Sequence, residues 1–255
     1  MKKVVVIIPI YKASLSADEA LSLRQTCQVL GNHPLVVIQP QGLDLSALSA
    51  QYPVLQFQEF PASYFQGIMG YNRLMLAPAF YERFLGYEYM LICQLDAYIF
   101  RDELLAWCSK GYDYIGSPWL RRTVYDLPLL KQCMQLSLWW KHKRGLRSKQ
   151  DLYNKVGNGG LSLRRVRPHY QVTLQKQDLI HFYTHREKLH LYNEDVFWAL
   201  EPEHFSYPSP QEALLFAFDK YPDYAYTLTG GQLPFGCHGW NKRKMRRFWK
   251  GILPF

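Results

Sequence analysis

Residues 4–11 read Val-Val-Val-Ile-Ile-Pro-Ile-Tyr. The run of five β-branched residues is too short for a helix and has no polar alternation, so it predicts a strand buried on both faces. A strand of that kind belongs in the middle of a mostly parallel sheet. Working outward, residues 16–30 carry a helical pattern that ends at Gly31-Asn32, and 35–38 and 54–57 give two further strands. Strand, helix, strand at this spacing is a βαβ unit, which requires a parallel sheet with helices on its faces.

Residues 71–85 continue in helical pattern, with Pro78 placed to split or kink the helix. The next central strand is 89–95, and it ends at Asp96. Open α/β sheets bind their ligands beyond the carboxyl ends of the strands, which is where this carboxylate falls. A short helix at 102–110 and a short strand at 112–115 follow. The pattern then breaks: residues 121–153 are basic, rich in Leu and Trp, and predict an inserted helical segment. Strand sequence returns at 161–163 after a glycine turn at 157–160, and residues 213–219 suggest a late helix. The expected organisation is one α/β domain over 1–240, Rossmann-type, decorated by the 121–153 insert and a basic aromatic tail at 241–255.

Composition bounds the class. With 255 residues, 48% of them hydrophobic, the chain has apolar material for a large core and too much for a disordered protein. No apolar stretch reaches the roughly 18 residues needed to span a bilayer. Lys2-Lys3 before the strand mimics the start of a leader peptide, but the apolar run is short and Pro9 interrupts it. Five cysteines without a CxxC pair predict free thiols in a reducing, cytoplasmic setting. The net charge of +9 is concentrated: residues 121–149 hold eight Lys/Arg against the single acid Asp126, and 241–250 hold six and no acid. The rest of the chain is net acidic, so these two segments point to an anionic partner. Trp139-Trp140 beside Lys141 to Arg144, and Phe248-Trp249 in the tail, pair interfacial aromatics with cations. Segments 139–149 and 241–255 are therefore expected to reach an anionic membrane surface peripherally, on its inner face.

Four constellations could carry chemistry. Asp96, in QLDAYIF at 94–100, could hold a divalent cation against a diphosphate, or simply cap a helix. Gly159 and Gly160, in GNGGLSLR at 157–164, let backbone approach a ligand or form a plain turn. Glu194 and Asp195, in NEDVFW at 193–198, are helix-start caps or a general base with its neighbour. His238, in LPFGCHGW at 233–240, is a packed histidine or a ligand to metal or phosphate.

Taken in order, and with YNRLML at 71–76 and DYIGSPW at 113–119, these motifs resemble those of the GT-A-fold glycosyltransferases. They are similar in particular to a presumed-glycosyltransferase family carried as a domain of unknown function. The resemblance implies transfer of a sugar from a nucleotide-sugar donor, UDP- or GDP-linked, to a hydroxyl of a glycan or lipid-linked saccharide. Position by position, it implies that Pro9 and Tyr11 hold the nucleotide base and that Arg73 lies near the donor diphosphate, where Arg73 or Arg164 could serve in a metal-free enzyme. It further implies that Asp96 is the first acid of an Asp-x-Asp motif holding manganese or magnesium, completed by His238. Gly159 and Gly160 would border the donor sugar. Asp195 would be the base of an inverting reaction with Glu194 beside it. Trp198 and Trp240 are candidate acceptor platforms. One departure is plain: Tyr98 stands where the second acid is expected, so a weaker metal site follows, with arginine at the diphosphate as the metal-free alternative.

Two other readings compete. A basic nucleic-acid-binding module would explain the two charged segments but neither GNGGLSLR nor NEDVFW, so no nucleic acid is expected. A sugar nucleotidyltransferase would carry a Gly/Arg/Lys-rich loop after the first strand, where this chain has Ile10-Tyr11-Lys12-Ala13-Ser14.

Overall fold

The computed structural model describes residues 2–186 and 190–255. Its strands are β1 (Lys2–Pro9), β2 (Leu35–Pro40), β3 (Leu55–Phe60), β4 (Tyr87–Cys93), β5 (Ala97–Ile99), β6 (Tyr114–Gly116), β7 (Leu161–Arg165), β8 (Ala217–Phe218) and β9 (Gly236–His238). The main sheet has the order β3-β2-β1-β4-β7-β6. β1 pairs in parallel with both β2 and β4, and β2 in parallel with β3. The β-branched run at 4–8 is thus internal to the sheet, as its composition requires. Side chains alternate between two cores. Val4, Val6 and Ile8 pack on one face with Leu23, Leu30 and Trp107. Val5 and Ile7 pack on the other with Leu74, Phe80 and Trp198.

The helices follow the expected boundaries with physical reasons for each departure. The first, Ala17–Leu30, is capped by Ser16, whose side chain and Glu19 form a reciprocal capping box. The 71–85 pattern resolves into two helices, Gly67–Met75 and Pro78–Glu82, with Pro78 opening the second. Its missing N–H costs nothing at a helix start. The apolar run at 213–219 is not one helix: Pro210–Phe216 is helical, and β8 follows at once.

β7 is the reversed strand of the sheet, antiparallel to both β4 and β6. After β6 the chain makes its basic excursion and returns through the 157–160 turn at the carboxyl end of β4. From there it can run only downward. Leu161 is level with Cys93, so the glycine turn lies beside residues 94–96. Gln94 N–H donates to Gly160 C=O at 2.9 Å and fixes that juxtaposition. A small second sheet, β5-β9-β8, then brings His238 opposite Ala97.

The excursion consists of the helix Pro128–Lys143 between two 3₁₀ turns, Thr123–Asp126 and Lys149–Leu152. Its ends are tied together by an antiparallel bridge between Pro118 and Val156. The 241–255 stretch is less of an appendage than its charge suggests. Its helix Arg243–Trp249 packs Trp249 into a cluster with Phe218, Trp240 and Leu253, and Arg246 pairs with Asp18 at 2.6 Å. Among the described residues no helix is long and apolar enough to cross a membrane.

Candidate active site

The carboxyl ends of β1 and β4, the glycine turn, the start of the helix Glu194–Leu200 and the end of β9 surround one cavity of about 640 Å³. That size suits a nucleotide-sized ligand. Pro9, Tyr11, Asp96, Gly159, Gly160, Glu194, Asp195 and His238 all line it. Residues 229 positions apart along the chain are therefore brought to one surface by the sheet topology alone. The two aspartates, Asp96 and Asp195, share the same cavity.

His238 stands between two carboxylates. Its Nε2 is 3.0 Å from Asp96 Oδ1, and its Nδ1 is 3.3 Å from Asp219 Oδ1. Burial would lower the imidazole pKa, but the flanking carboxylates outweigh it and raise it to about 9. Burial likewise opposes ionisation of Asp96 and Asp219, yet His238, with Lys242 in support, holds both below the usual carboxylate value. Lys242 Nζ is 3.8 Å from Asp96 Oδ2, and Lys242 also lines the cavity. Asn158 ties the turn to this group: its Nδ2 donates to Asp219 Oδ2 at 2.9 Å, and its Oδ1 accepts from Gly160 N–H at 3.0 Å. A side chain on Gly160 would occupy the place of the His238 ring, and one on Gly159 the place of the Glu194 carboxylate. The pair of glycines is thus a requirement of close packing at the cavity wall.

These donors fit a divalent cation in part. Asp96 and His238 offer one oxygen and one imidazole nitrogen toward the cavity, and Asp219 on Nδ1 is the carboxylate that commonly orients a metal-bound histidine. Among the described residues no three His, Cys, Asp or Glu side chains converge as a complete shell. The set suits a cation that takes its remaining ligands from water and substrate phosphate.

The second carboxylate group is built differently. Glu194 accepts from Arg164 Nη2 through both oxygens, at 3.0 and 3.2 Å, with both side chains buried. Arg164 also donates through Nη1 to Tyr81 Oη at 3.0 Å and through Nε to Ser162 Oγ at 3.1 Å. Burial pushes the Glu194 carboxyl up to about 7 against the pull of Arg164. The Glu194 N–H donates to Asn72 Oδ1 at 3.2 Å, and Asn72 Nδ2 donates to Asn193 Oδ1 at 3.2 Å. Asp195 has a freer carboxylate. One oxygen accepts from Val196 N–H at 2.9 Å, and among the described residues no cation pairs with it. Burial raises its pKa above the ordinary aspartate value, while the Val196 hydrogen bond opposes the rise.

Several expected residues lie elsewhere. Arg164 is wholly buried and committed to Glu194, Tyr81 and Ser162, so it does not reach a diphosphate. Arg73 is on the helix Gly67–Met75 but is not among the cavity-lining residues; its neighbour Asn72 is. Trp198 and Trp240 are core residues, fully buried, with Nε1 donating to Met75 C=O and to Ser22 Oγ respectively. Neither is a surface platform. Conversely, Asp219, Lys242, Gln94 and Asn72 join the site without having been singled out. Asp219 is hidden at the end of an apolar run, and Lys242 inside a basic one. Gln94, Asn72 and Asn158 fall inside the motifs QLDAYIF, YNRLML and GNGGLSLR, which is the one signal that could have found them.

In comparison with known proteins, no curated protein matches the sequence. Solved structures do resemble it in fold. The galactosyltransferase LgtC in complex with donor and acceptor sugar analogues superposes with a TM-score of 0.57 at 12% identity, covering 98% of this chain and 100% of that one. Mouse xyloside xylosyltransferase 1, apo form, gives 0.54 at 12% identity, covering 92% and 96%. The glycosyltransferase GlyE of Streptococcus pneumoniae TIGR4 gives 0.53 at 14% identity, covering 100% of this chain and 61% of that one. The fold is therefore that of the GT-A glycosyltransferases, a mostly parallel sheet flanked by helices. Residues 54–238, most of the chain, match the family described as protein of unknown function (DUF5672), and the chain belongs to that family.

Proposed function

We propose that this protein is a glycosyltransferase that moves a sugar from a nucleotide-sugar donor to an acceptor hydroxyl in glycan or glycolipid synthesis. The observation that carries the reading is the shared cavity. It has a carboxylate–imidazole pair with a lysine at one wall, and at another a separate carboxylate, Asp195, that forms no ion pair among the described residues. Residues 1–240 form the catalytic domain in this reading, with 121–153 as its insert and 241–255 as its tail, from which Lys242 reaches the cavity.

Transfer breaks the bond between the anomeric carbon and the diphosphate oxygen, and the electron pair leaves with the nucleoside diphosphate. A new bond forms from the acceptor oxygen, whose proton must be removed. Lys242 supplies positive charge where the diphosphate departs, and the protonated His238 adds to it. Tyr11, exposed at the mouth beside Pro9, stacks on the nucleobase. A manganese or magnesium ion would take the place of the His238 proton: Asp96 and the neutral imidazole would hold it, and it would neutralise charge on the leaving diphosphate. Asp195 takes the proton from the acceptor, and burial, which raises its pKa, makes it a stronger base than an exposed aspartate. Attack assisted from that side inverts the anomeric centre. Glu194, clamped by Arg164, sets the floor of the donor-sugar subsite beside Gly159. Arg164 acts only through Glu194.

The test is a thermal-shift panel of nucleoside diphosphates with and without manganese, followed by donor turnover in wild type and Asp195→Asn. Selective stabilisation by one nucleoside diphosphate, with turnover lost in the variant, is the expected result. Absence of stabilisation by any of them would remove the donor reading.

A further inference from the structure

The helix Pro128–Lys143 has 16 residues and buries none of them. It is nevertheless anchored on one side. Met134 and Leu138 turn toward Tyr125 and Tyr153 across a shallow hollow, and Gln150 Nε2 donates to Met134 C=O at 2.9 Å. The opposite side carries Leu129, Leu136 and Trp140 at i, i+7 and i+11, with Trp139 alongside. These are among the most exposed large apolar side chains of the protein, with Leu129 at 80%. A stripe of this kind facing water marks a contact surface.

The cations are arranged to match it. Lys141, Lys143 and Arg144 close the helix just beyond the tryptophans. Lys143 Nζ lies 5.0 Å from the Trp139 ring centre, and the Arg144 guanidinium 5.5 Å from that of Trp140. Among the described residues no carboxylate pairs with these three cations.

We propose that this helix seats the protein on an anionic lipid bilayer. It would lie in the interface with Leu129, Leu136 and both tryptophans in the headgroup–acyl boundary and the three cations among anionic headgroups. The chemistry selects this occupant over others. A nucleic acid would engage the cations and leave the leucines wet. A second copy of the chain would cover the leucines but would bring two strongly basic segments together. An anionic bilayer satisfies both features. Of the tail's aromatic residues, Trp249 is already spent in the core, so it is not part of this surface. This inference goes beyond the sugar-transfer reading and does not depend on it.

The experiment is co-sedimentation of the full chain with vesicles of phosphatidylcholine alone and with phosphatidylglycerol mixed in. Wild type is expected to pellet with the anionic vesicles only. Replacing Lys141, Lys143 and Arg144 together by glutamine should weaken partitioning about fivefold per cation at low salt, and so about a hundredfold for the three. Trp139→Ser with Trp140→Ser should weaken binding while leaving its salt dependence in place. All five side chains are exposed, and unchanged thermal melts confirm that each variant is folded. Equal binding to both vesicle types, or to neither, would overturn the proposal. So would a concentration-dependent dimer that the tryptophan variant abolishes, or tighter binding to an oligonucleotide than to anionic vesicles.

Discussion

The imidazole of His238 fills the space that a side chain on Gly160 would need. The turn and the end of β9 therefore cannot move independently, and Asn158 reinforces the link through Asp219. In Gly160→Ala the histidine must shift away from Asp96. Overpacking of this kind costs about 1–3 kcal/mol. The expected outcome is a lower melting temperature together with weaker manganese-dependent binding of nucleoside diphosphate, both read in one thermal-shift experiment.

His238 also makes stability depend on pH. Its folded pKa is raised from 6.5 to about 9. Such a group stabilises the fold fully below the unfolded value, and the contribution is lost as pH rises through about 9. The full effect is on the order of 3 kcal/mol. Denaturant unfolding of the metal-free protein at about pH 6 and about pH 9.5 should show this loss, and His238→Asn should abolish that component. Because the same proton competes with a cation, manganese affinity should climb over the same interval.

Glu194 and Asp195 are neighbours with opposite expected phenotypes. Above about pH 7, where the Glu194 carboxyl is ionised, Glu194→Gln leaves the buried Arg164 charge without its counter-ion, a change that typically costs about 3–5 kcal/mol. It should depress the melting temperature sharply. Asp195→Asn breaks no ion pair among the described residues. It should leave stability nearly unchanged and reduce transfer by about 10²–10⁴-fold, read as product formed per enzyme under saturating donor.

Lys242→Met tests the diphosphate wall. Loss of a charged donor should reduce nucleoside diphosphate affinity by about tenfold or more, measured by calorimetry. The affinity of the corresponding nucleoside, which lacks the phosphates, should not change. An equal loss for both would place Lys242 away from the diphosphate.

Much of this arrangement is legible in the sequence because it rests on local patterns. The β-branched run at 4–8, the proline at 78 and a carboxylate just past a buried strand are each placed in the fold by residues close to them in sequence. What escapes is whatever depends on distant pairing. The reversal of β7 is set by where the excursion returns, and residues 161–165 carry no mark of direction. Trp198 and Trp240 have the composition of sugar platforms, yet exposure is decided by the packing of other elements. Arg164 reads as a free cation until Glu194, 30 residues on, is folded against it. Lys242 was averaged into a basic run, although its neighbour Gly239, with N–H donating to Asp96 C=O, delivers it to the cavity.

The bridge between Pro118 and Val156 closes the base of the basic excursion: Asn154 N–H reaches Trp119 C=O at 2.8 Å, and Trp119 N–H reaches Lys155 C=O at 3.0 Å, while Arg147 paired with Glu201 and Leu152 in the core hold its returning arm to the body. The helix Pro128–Lys143 buries no residue, so it can be shortened or exchanged without disturbing the ladder that aligns Leu161 with Cys93. In the bilayer and sugar-transfer readings proposed above, docking and chemistry lie on separate parts of the chain, and a short turn replacing Pro128–Lys143 is expected to free the protein from the membrane with its cavity intact.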